Sequence, residues 1–511
     1  MSAQFSMQSV GWFPCKLTHS SEYQSGPVLI VAHDVNTLPE SLDNIRTCIN
    51  KLISHDAAAK SDVTVQPFIE STLIFSPVKS VSSDYDDVRR YSEAALAGIK
   101  RAIKAGISEN LSLYVQPCER FPNSVQVALL GALEALYISY DLRASKAPNS
   151  KLSSLNVLLN GSDELLNTAK ALFQGLIVSK DIGGGDPEMM APPRMAKYVE
   201  TLFRDDPSIK ITVENDKSTL QSKYPLLAAV DRAAIEVPRH AAQIVTLEYN
   251  PSDGNIERTL FLVGKGVSMD TGGLNIKIQG LMRGMAFDKC GAGVAAGVVE
   301  VARKLKVKGV KVIARLCCVR NSVSATAYST DEIVTGASGL RVRVLNTDAE
   351  GRMAMADPLF YTKNDALNAK DPTIITIATL TGHAIQSFGE YTVIMANEPA
   401  QSIASQIYDC GEFFGDPMEV SRLRREDFDA TKGVTDSEDI MQIGPASRKG
   451  KRGHQFAAAF LTRVSTLDGN GNNSEHPIPY VHLDIAGVME SSEFVVTGRP
   501  VVAISETFFL S

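Results

Sequence analysis

A chain of 511 residues is longer than one hydrophobic core usually organises, so two domains are expected. Lysine and arginine number 51 against 58 aspartate and glutamate, a formal net charge of -7 with both signs scattered, which argues against a phosphate backbone or an anionic membrane as principal partner. The seven cysteines form no CxxC pair and the eight histidines no HExxH, so reduced thiols are expected and a histidine-rich zinc site is not.

The opening MSAQFSMQSVGWFPC lacks a basic start followed by an apolar run, and no stretch approaches about eighteen purely apolar residues. A soluble, cytoplasmic protein is therefore expected. Residues 1–160 mix short apolar runs, Val28 to Val31 and Leu111 to Val115, with a helical pattern from Val125 to Tyr140, and read as a small α/β domain without a catalytic constellation. From Asp163 to about Ser179 the residues Leu165, Leu166, Ala169, Leu172, Phe173, Leu176 and Ile177 recur at helical spacing, with Ser162 as a candidate cap. The segment IGGGDPEMMAPP then breaks structure through Gly183 to Gly185, Pro187, Pro192 and Pro193, so residues 161–189 are predicted to connect the domains. Over 190–511, strand candidates at Ile244 to Leu247, Thr259 to Val263, Val312 to Leu316 and Ile374 to Leu380 alternate with helices, among them Gly293 to Leu305 and Glu350 to Tyr361. That alternation predicts a larger α/β domain whose mixed, largely parallel sheet is flanked by helices, with ligands at the carboxyl ends of the strands. DGNGNNSE, Asp468 to Glu475, is predicted to be an exposed loop, and the basic run Arg448, Lys449, Lys451 and Arg452 a solvated one.

Three stretches are unusual for a core: LVGKGVSMDTGGLNIK, MRGMAFDKCGAG and NTDAEGR. The first places Lys265 and Asp270 in a glycine-rich loop just beyond a strand ending near Val263; the second puts Asp288 at the head of a helix, where capping is the plain alternative. The third offers Asp348 and Glu350 two positions apart, sharing one side if the chain is extended and not if it is helical. Four carboxylates converging in one site repel unless cations neutralise them, and two divalent ions are the physical solution. GKG alone does not make a phosphate loop, because no GxxxxGK[ST] is present. Lys277 and Arg352 are otherwise ordinary charges, Cys290 a small buried hydrophobe and His454 a structural contact.

These segments resemble the metal-binding and catalytic core of the leucyl aminopeptidase family, peptidase family M17, whose signature NTDAEGR matches completely; TLTG at Thr379 to Gly382 and LDIAGVM at Leu483 to Met489 extend the likeness. The resemblance implies a tighter metal site of Lys265, Asp270, Asp288 and Glu350, and a more exchangeable one of Asp270, Asp348 and Glu350. Zinc is its first choice of metal, with manganese, magnesium or cobalt as alternatives. It further implies Lys277 and Arg352 as catalytic residues, the latter holding a bicarbonate that shuttles the proton. Asp288 would receive the free α-amino group of a peptide. Met282, Thr379, Gly382, Ala486 and Met489 would line an apolar pocket suited to Leu or Met. The implied assembly is a homohexamer, a particle of about 330 kDa. Rival readings are a binding protein that has lost turnover, a nucleic-acid binder and a different two-metal hydrolase; the intact ligand set and the overall acidity disfavour the first two. Pro358, inside the helix after NTDAEGR, is expected to kink or shift it, and GGGDPEMMAPP departs from the family's usual segment.

Overall fold

The computed structural model describes residues 9–159, 163–444, 451–490 and 495–510. Ser162, Arg448 and Lys449 lie outside the described residues; Lys451 is exposed, while Arg452 pairs with Asp427 at 2.6 Å.

Apolar β-branched runs give the amino-terminal part six strands: β1 (Lys16–Ser20), β2 (Val28–Ala32), β3 (Thr64–Phe68), β4 (Ser71–Pro77), β5 (Asn110–Val115) and β6 (Ser154–Leu158). They form one sheet in the order β1-β6-β5-β2-β4-β3, parallel except for the β3–β4 pair. Helices α1 (Asp43–His55), α2 (Arg89–Lys104), α3 (Ser124–Leu136) and α4 (Tyr140–Lys146) cover it. The apolar span Ser124–Lys146 is long enough by hydropathy to cross a bilayer, but 67% of its most apolar window is buried inside the fold, as in a core helix. The single helix expected from Val125 to Tyr140 is thus two, separated at 137–139.

Helix α5 (Asp163–Gly184) continues well past Ser179, through Gly183, where a break was expected. The reason is packing. A Cβ at Gly183 would meet Cys290 Sγ at 2.8 Å, and one at Gly297 would meet the Gly175 carbonyl at 2.5 Å, so the glycines let α5 lie directly against α9 (Cys290–Leu305). The chain turns only at Gly185, before α6 (Pro192–Phe203). Asp181 of α5 joins the two parts: Arg143 of α4 donates to it at 2.5 Å, Tyr137 at 2.9 Å and Tyr198 of α6 at 2.8 Å, all buried.

The larger sheet has the order β15-β14-β17-β13-β9-β10-β8-β7, from β7 (Ile209–Glu214), β8 (Gln243–Tyr249), β9 (Ile256–Asp270), β10 (Gly309–Asn321), β13 (Pro372–Ala378), β14 (Thr392–Ala396), β15 (Met418–Val420) and β17 (Tyr480–Asp484). Its centre, β17-β13-β9-β10, is parallel, while β8 pairs antiparallel with β10 and β7, and β14 with β17. A mixed, largely parallel sheet flanked by helices is therefore present beside a smaller amino-terminal one. A three-stranded sheet, β11 (Ile333–Thr335), β12 (Arg341–Arg343) and β16 (Ile440–Met441), sits beside it. Helices α7 (Lys217–Lys223) and α8 (Pro225–Asp231) precede β8, and α10 (Glu350–Ala366) follows the NTDAEGR segment. Pro358 does not interrupt α10, which runs on beyond Tyr361; Pro358 and its neighbours are buried, so tertiary packing holds the turn that propensity disfavours. Asp468 to Glu475 forms a short 3-10 turn and loop whose ends Asp468 and Glu475 are exposed.

Candidate metal centre

Strand β9 is longer than its sequence suggested: it runs to Asp270, so Lys265 and Asp270 project from a central strand and not from a loop. The glycines among them serve contact, since a Cβ at Gly264 would meet the Gly291 carbonyl at 2.5 Å. Asp288 lies just before α9 but does not cap it, for the N-cap is Lys289 without a side-chain bond. Asp348 sits in a turn and Glu350 is the first residue of α10, so neither the extended nor the helical alternative holds for the pair as a whole. All four carboxylates arrive near the carboxyl ends of β9, β10 and β13, where an open α/β sheet gathers ligands.

Asp270, Asp288 and Glu350 are buried, and one carboxylate oxygen from each lies within 4.8 Å of the others. The Lys265 ammonium bridges this set, 2.6 Å from Asp288 Oδ1 and 2.9 Å from Glu350 Oε1, and donates to the Thr379 carbonyl at 2.9 Å. Lys277 Nζ makes a second bridge, 2.8 Å from Asp270 Oδ2 and 2.5 Å from Asp348 Oδ1. Burial alone would lower the Lys265 pKa, but Asp288, Glu350 and Asp270 outweigh it and hold it above the usual lysine value; Lys277 is held up in the same way by Asp270 and Asp348. Burial pushes the Asp288 carboxyl up to about 6, with the Lys265 charge opposing, and raises Glu350 well above the usual carboxylate range. Asp288 Oδ2 and Glu350 Oε2 are buried without any hydrogen-bond partner. Two orphaned carboxylate oxygens beside an amine nitrogen form a donor set that fits a divalent cation, and a cation there would favour the neutral amine that can coordinate it.

Residues that carried no motif complete the surround. Asn321, the register partner of Asp270 on β10, donates from Nδ2 to Asp270 Oδ1 at 2.7 Å and to the Thr347 carbonyl at 3.0 Å. Tyr328 donates to the same carbonyl at 2.8 Å, and Thr347 bonds the Gly272 carbonyl at 2.6 Å while its N–H meets Asn275 Oδ1 at 2.8 Å. The β9 end and the NTDAEGR turn are thereby laced together. Only the tertiary pairing of β10 with β9 signals Asn321.

Arg352 is buried in the same first turn of α10 as Glu350. Its Nη1 donates to the Gln442 carbonyl at 3.1 Å, its guanidinium lies over Phe456 and Phe460 at 5.7 and 5.9 Å, and Nε has no partner. Burial draws its pKa down to about 10. Of the predicted pocket residues, Thr379 is committed to the site itself, donating to Asp288 Oδ1 at 2.8 Å. Another, Ala486, donates its N–H to Asp484 at 3.2 Å, and the same carboxylate accepts Thr381 Oγ1 at 2.8 Å. Gly382 is exposed, Met489 is partly buried, and Met282 lies on the turn that leads into Asp288. Cys290 is buried, and all seven cysteines are unpaired. His454 is buried against Ser421 at 2.9 Å, away from the carboxylates, as a structural contact should be.

An α/β sheet that delivers buried carboxylates and a lysine to one point defines a candidate metal-binding protein. Residues 177–505 match the catalytic domain of the cytosol aminopeptidase family. The chain is 40% identical over 477 residues to the putative aminopeptidase W07G4.4 of Caenorhabditis elegans, covering 92% of this chain and 90% of that protein. It is 30% identical over 384 residues to the cytosol aminopeptidase of Pseudomonas aeruginosa, covering 73% and 72%. Its fold matches a mutant of tomato leucine aminopeptidase with TM-score 0.80 at 20% identity, covering 98% and 97%. It also matches the leucyl aminopeptidase of Trypanosoma brucei solved with bestatin, with TM-score 0.82 at 19% identity and the same coverage. The chain belongs to the M17 cytosol aminopeptidase family, and its activity is of that family's metal-dependent aminopeptidase type.

Proposed function

We propose that this chain removes single residues from the free amino termini of peptides with the help of two divalent metal ions. The observation that carries this reading is the buried convergence of Asp270, Asp288 and Glu350 around Lys265, with two carboxylate oxygens left unpaired. Lys265, Asp270, Asp288 and Glu350 would hold one ion and Asp270, Asp348 and Glu350 the other. Zinc or manganese suits them; a solved protein of the same fold, the bottromycin maturation enzyme BotP, is a manganese complex. Bound there, such ions supply Lewis acidity to the scissile carbonyl and lower the pKa of water.

The protein's own residues do the rest. Lys277, free to leave Asp270 and Asp348 once cations neutralise them, donates to the oxyanion that forms at the scissile carbon. Asp288 receives the substrate α-ammonium, which makes the enzyme count from the chain end. Arg352, with an unspent buried Nε, would hold an anion such as bicarbonate, which would supply a base for proton transfer. Met282, Thr379, Gly382, Ala486 and Met489 would take the first side chain, apolar ones such as Leu or Met best, with modest discrimination among them. A cytoplasmic homohexamer acting on small peptides, without nucleic acid or membrane as partner, completes the reading.

Hydrolysis of unblocked aminoacyl and dipeptide substrates by protein reconstituted with zinc or manganese tests it. Release from free amino termini should disappear with acetylated substrates, with chelator and in Glu350→Ala. No turnover from folded, metal-loaded protein across that panel would sink the proposal.

A further inference from the structure

Gln442 follows β16 in the small sheet and is fully buried, and every polar group it has is spent on the segment that carries the catalytic carboxylates. Its Oε1 accepts two successive backbone N–H groups, Leu345 and Asn346, each at 2.9 Å. Its Nε2 donates to the Ala349 carbonyl at 3.2 Å. Its backbone N–H donates to the Arg343 carbonyl at 3.0 Å, and its own carbonyl takes Arg352 Nη1 at 3.1 Å. The residue thus spans the turn from both sides, with Asp348 and Glu350 inside the loop it closes. Inside that loop the turn is tight, since the Asp348 N–H bonds Asn346 Oδ1 at 2.9 Å.

We infer that Gln442 is a positioning residue that sets Asp348, Glu350 and Arg352 as one unit, and with them the more exchangeable of the two metal sites. The inference rests on the two-metal reading above. The chemistry requires an amide at this point. Two N–H groups need an acceptor with two lone pairs and the Ala349 carbonyl needs a donor; a carboxylate supplies only the first and an alkyl chain neither. Without it, three backbone groups of a half-buried turn lose partners and the turn can shift, while the β9 ligands Lys265 and Asp270 stay in place on their strand. Loss should therefore fall most on the metal held through both Asp348 and Glu350, less on the one that takes only Glu350 from the turn, and on the Arg352 side of the reaction.

The test is a calorimetric titration of the metal-stripped full chain with Mn2+ and separately with Zn2+, beside steady-state kinetics. Gln442→Leu should weaken the second, looser binding step about 10–100-fold and the first, which takes only Glu350 from the turn, by clearly less. kcat for an unblocked leucine amide should fall by a similar factor while KM stays nearly constant. A scaffold role alone would lower the melting temperature without separating the two binding steps or kcat from KM. A folded Gln442→Leu protein with both steps and kcat unchanged overturns the inference. Should that variant not fold, Gln442→Glu decides: it keeps the acceptor but sets an oxygen against the Ala349 carbonyl. A weakened second step then supports the assignment, and a wild-type titration overturns it. Metal uptake is read without any peptide, so a wild-type protein that cleaves nothing would count against the peptidase reading alone.

Discussion

Lys277 and Asn321 touch the same aspartate and should fail differently. Lys277→Ala removes the donor to a developing oxyanion, and a loss of about 10²–10³-fold in kcat with metal content unchanged is expected from steady-state assays and metal analysis. Asn321→Leu leaves Lys277 in place but takes one of two donors from Asp270 Oδ1, the Gly272 N–H remaining at 2.9 Å, and should instead weaken metal binding about 10–100-fold. Gly351 makes a third kind of case. A Cβ there would lie 2.6 Å from Lys265 Nζ, so Gly351→Ala must displace the lysine, and metal uptake should suffer although no ligand is changed. Asp231 gives a pH signature remote from the metals. Its Oδ1 accepts the Ala242 N–H at 3.0 Å and its Oδ2 has no partner; burial lifts its carboxyl to about 7. The folded state therefore binds this proton more tightly than the unfolded chain does. The associated stability is full below about pH 4 and is lost as pH rises through 7. Asp231→Asn should match the wild type near pH 4 and be more stable by roughly 2–4 kcal/mol at pH 8, as denaturation at the two pH values would show. An advantage for the variant that shrinks as pH rises would contradict the assignment.

Among the elements, the α5–α9 pair joins the two halves of the molecule. Gly297→Ala would drive a methyl into the Gly175 carbonyl, backbone against backbone, and should cost about 1–3 kcal/mol in urea denaturation while leaving the carboxylates untouched. The sequence showed the helical period of α5 but placed its end too early. Three consecutive glycines look like a breaker when only the local chain is considered, but Gly183 is a contact point for α9 and the turn comes only at Gly185. Pro358 misleads in the same direction, because a buried helix flanked by the sheet retains its course where an isolated one would not.

For the molecule as a whole, three buried carboxylates and the half-buried Asp348 share one site with two lysines, so cations and fold should be linked. Chelation should lower the melting temperature and zinc or manganese should restore it. Saturation at about a hundred times Kd corresponds to about 2.7 kcal/mol, readable by scanning calorimetry. In sedimentation, a hexamer would appear near 330 kDa and a monomer at one sixth of that.

The sequence by itself singled out the candidate ligands and the candidate catalytic pair. Lys265, Asp270, Lys277, Asp288, Asp348, Glu350 and Arg352 stand in motifs because metal chemistry restricts residue type at each position, and such restriction is visible one residue at a time. It also determined the α/β class, since helical and strand periods are local properties. Tertiary structure alone decided that β9 carries Lys265 and Asp270 to the site on one strand and that Asn321 faces Asp270 across a strand pair. It decided likewise that Gln442 closes the turn around Asp348 and that the glycines of α5 and α9 meet. The last three are relations between segments 50 or more residues apart in the chain. The amide of an asparagine or glutamine bears no mark of its partner, and a glycine none of what will pass close to it.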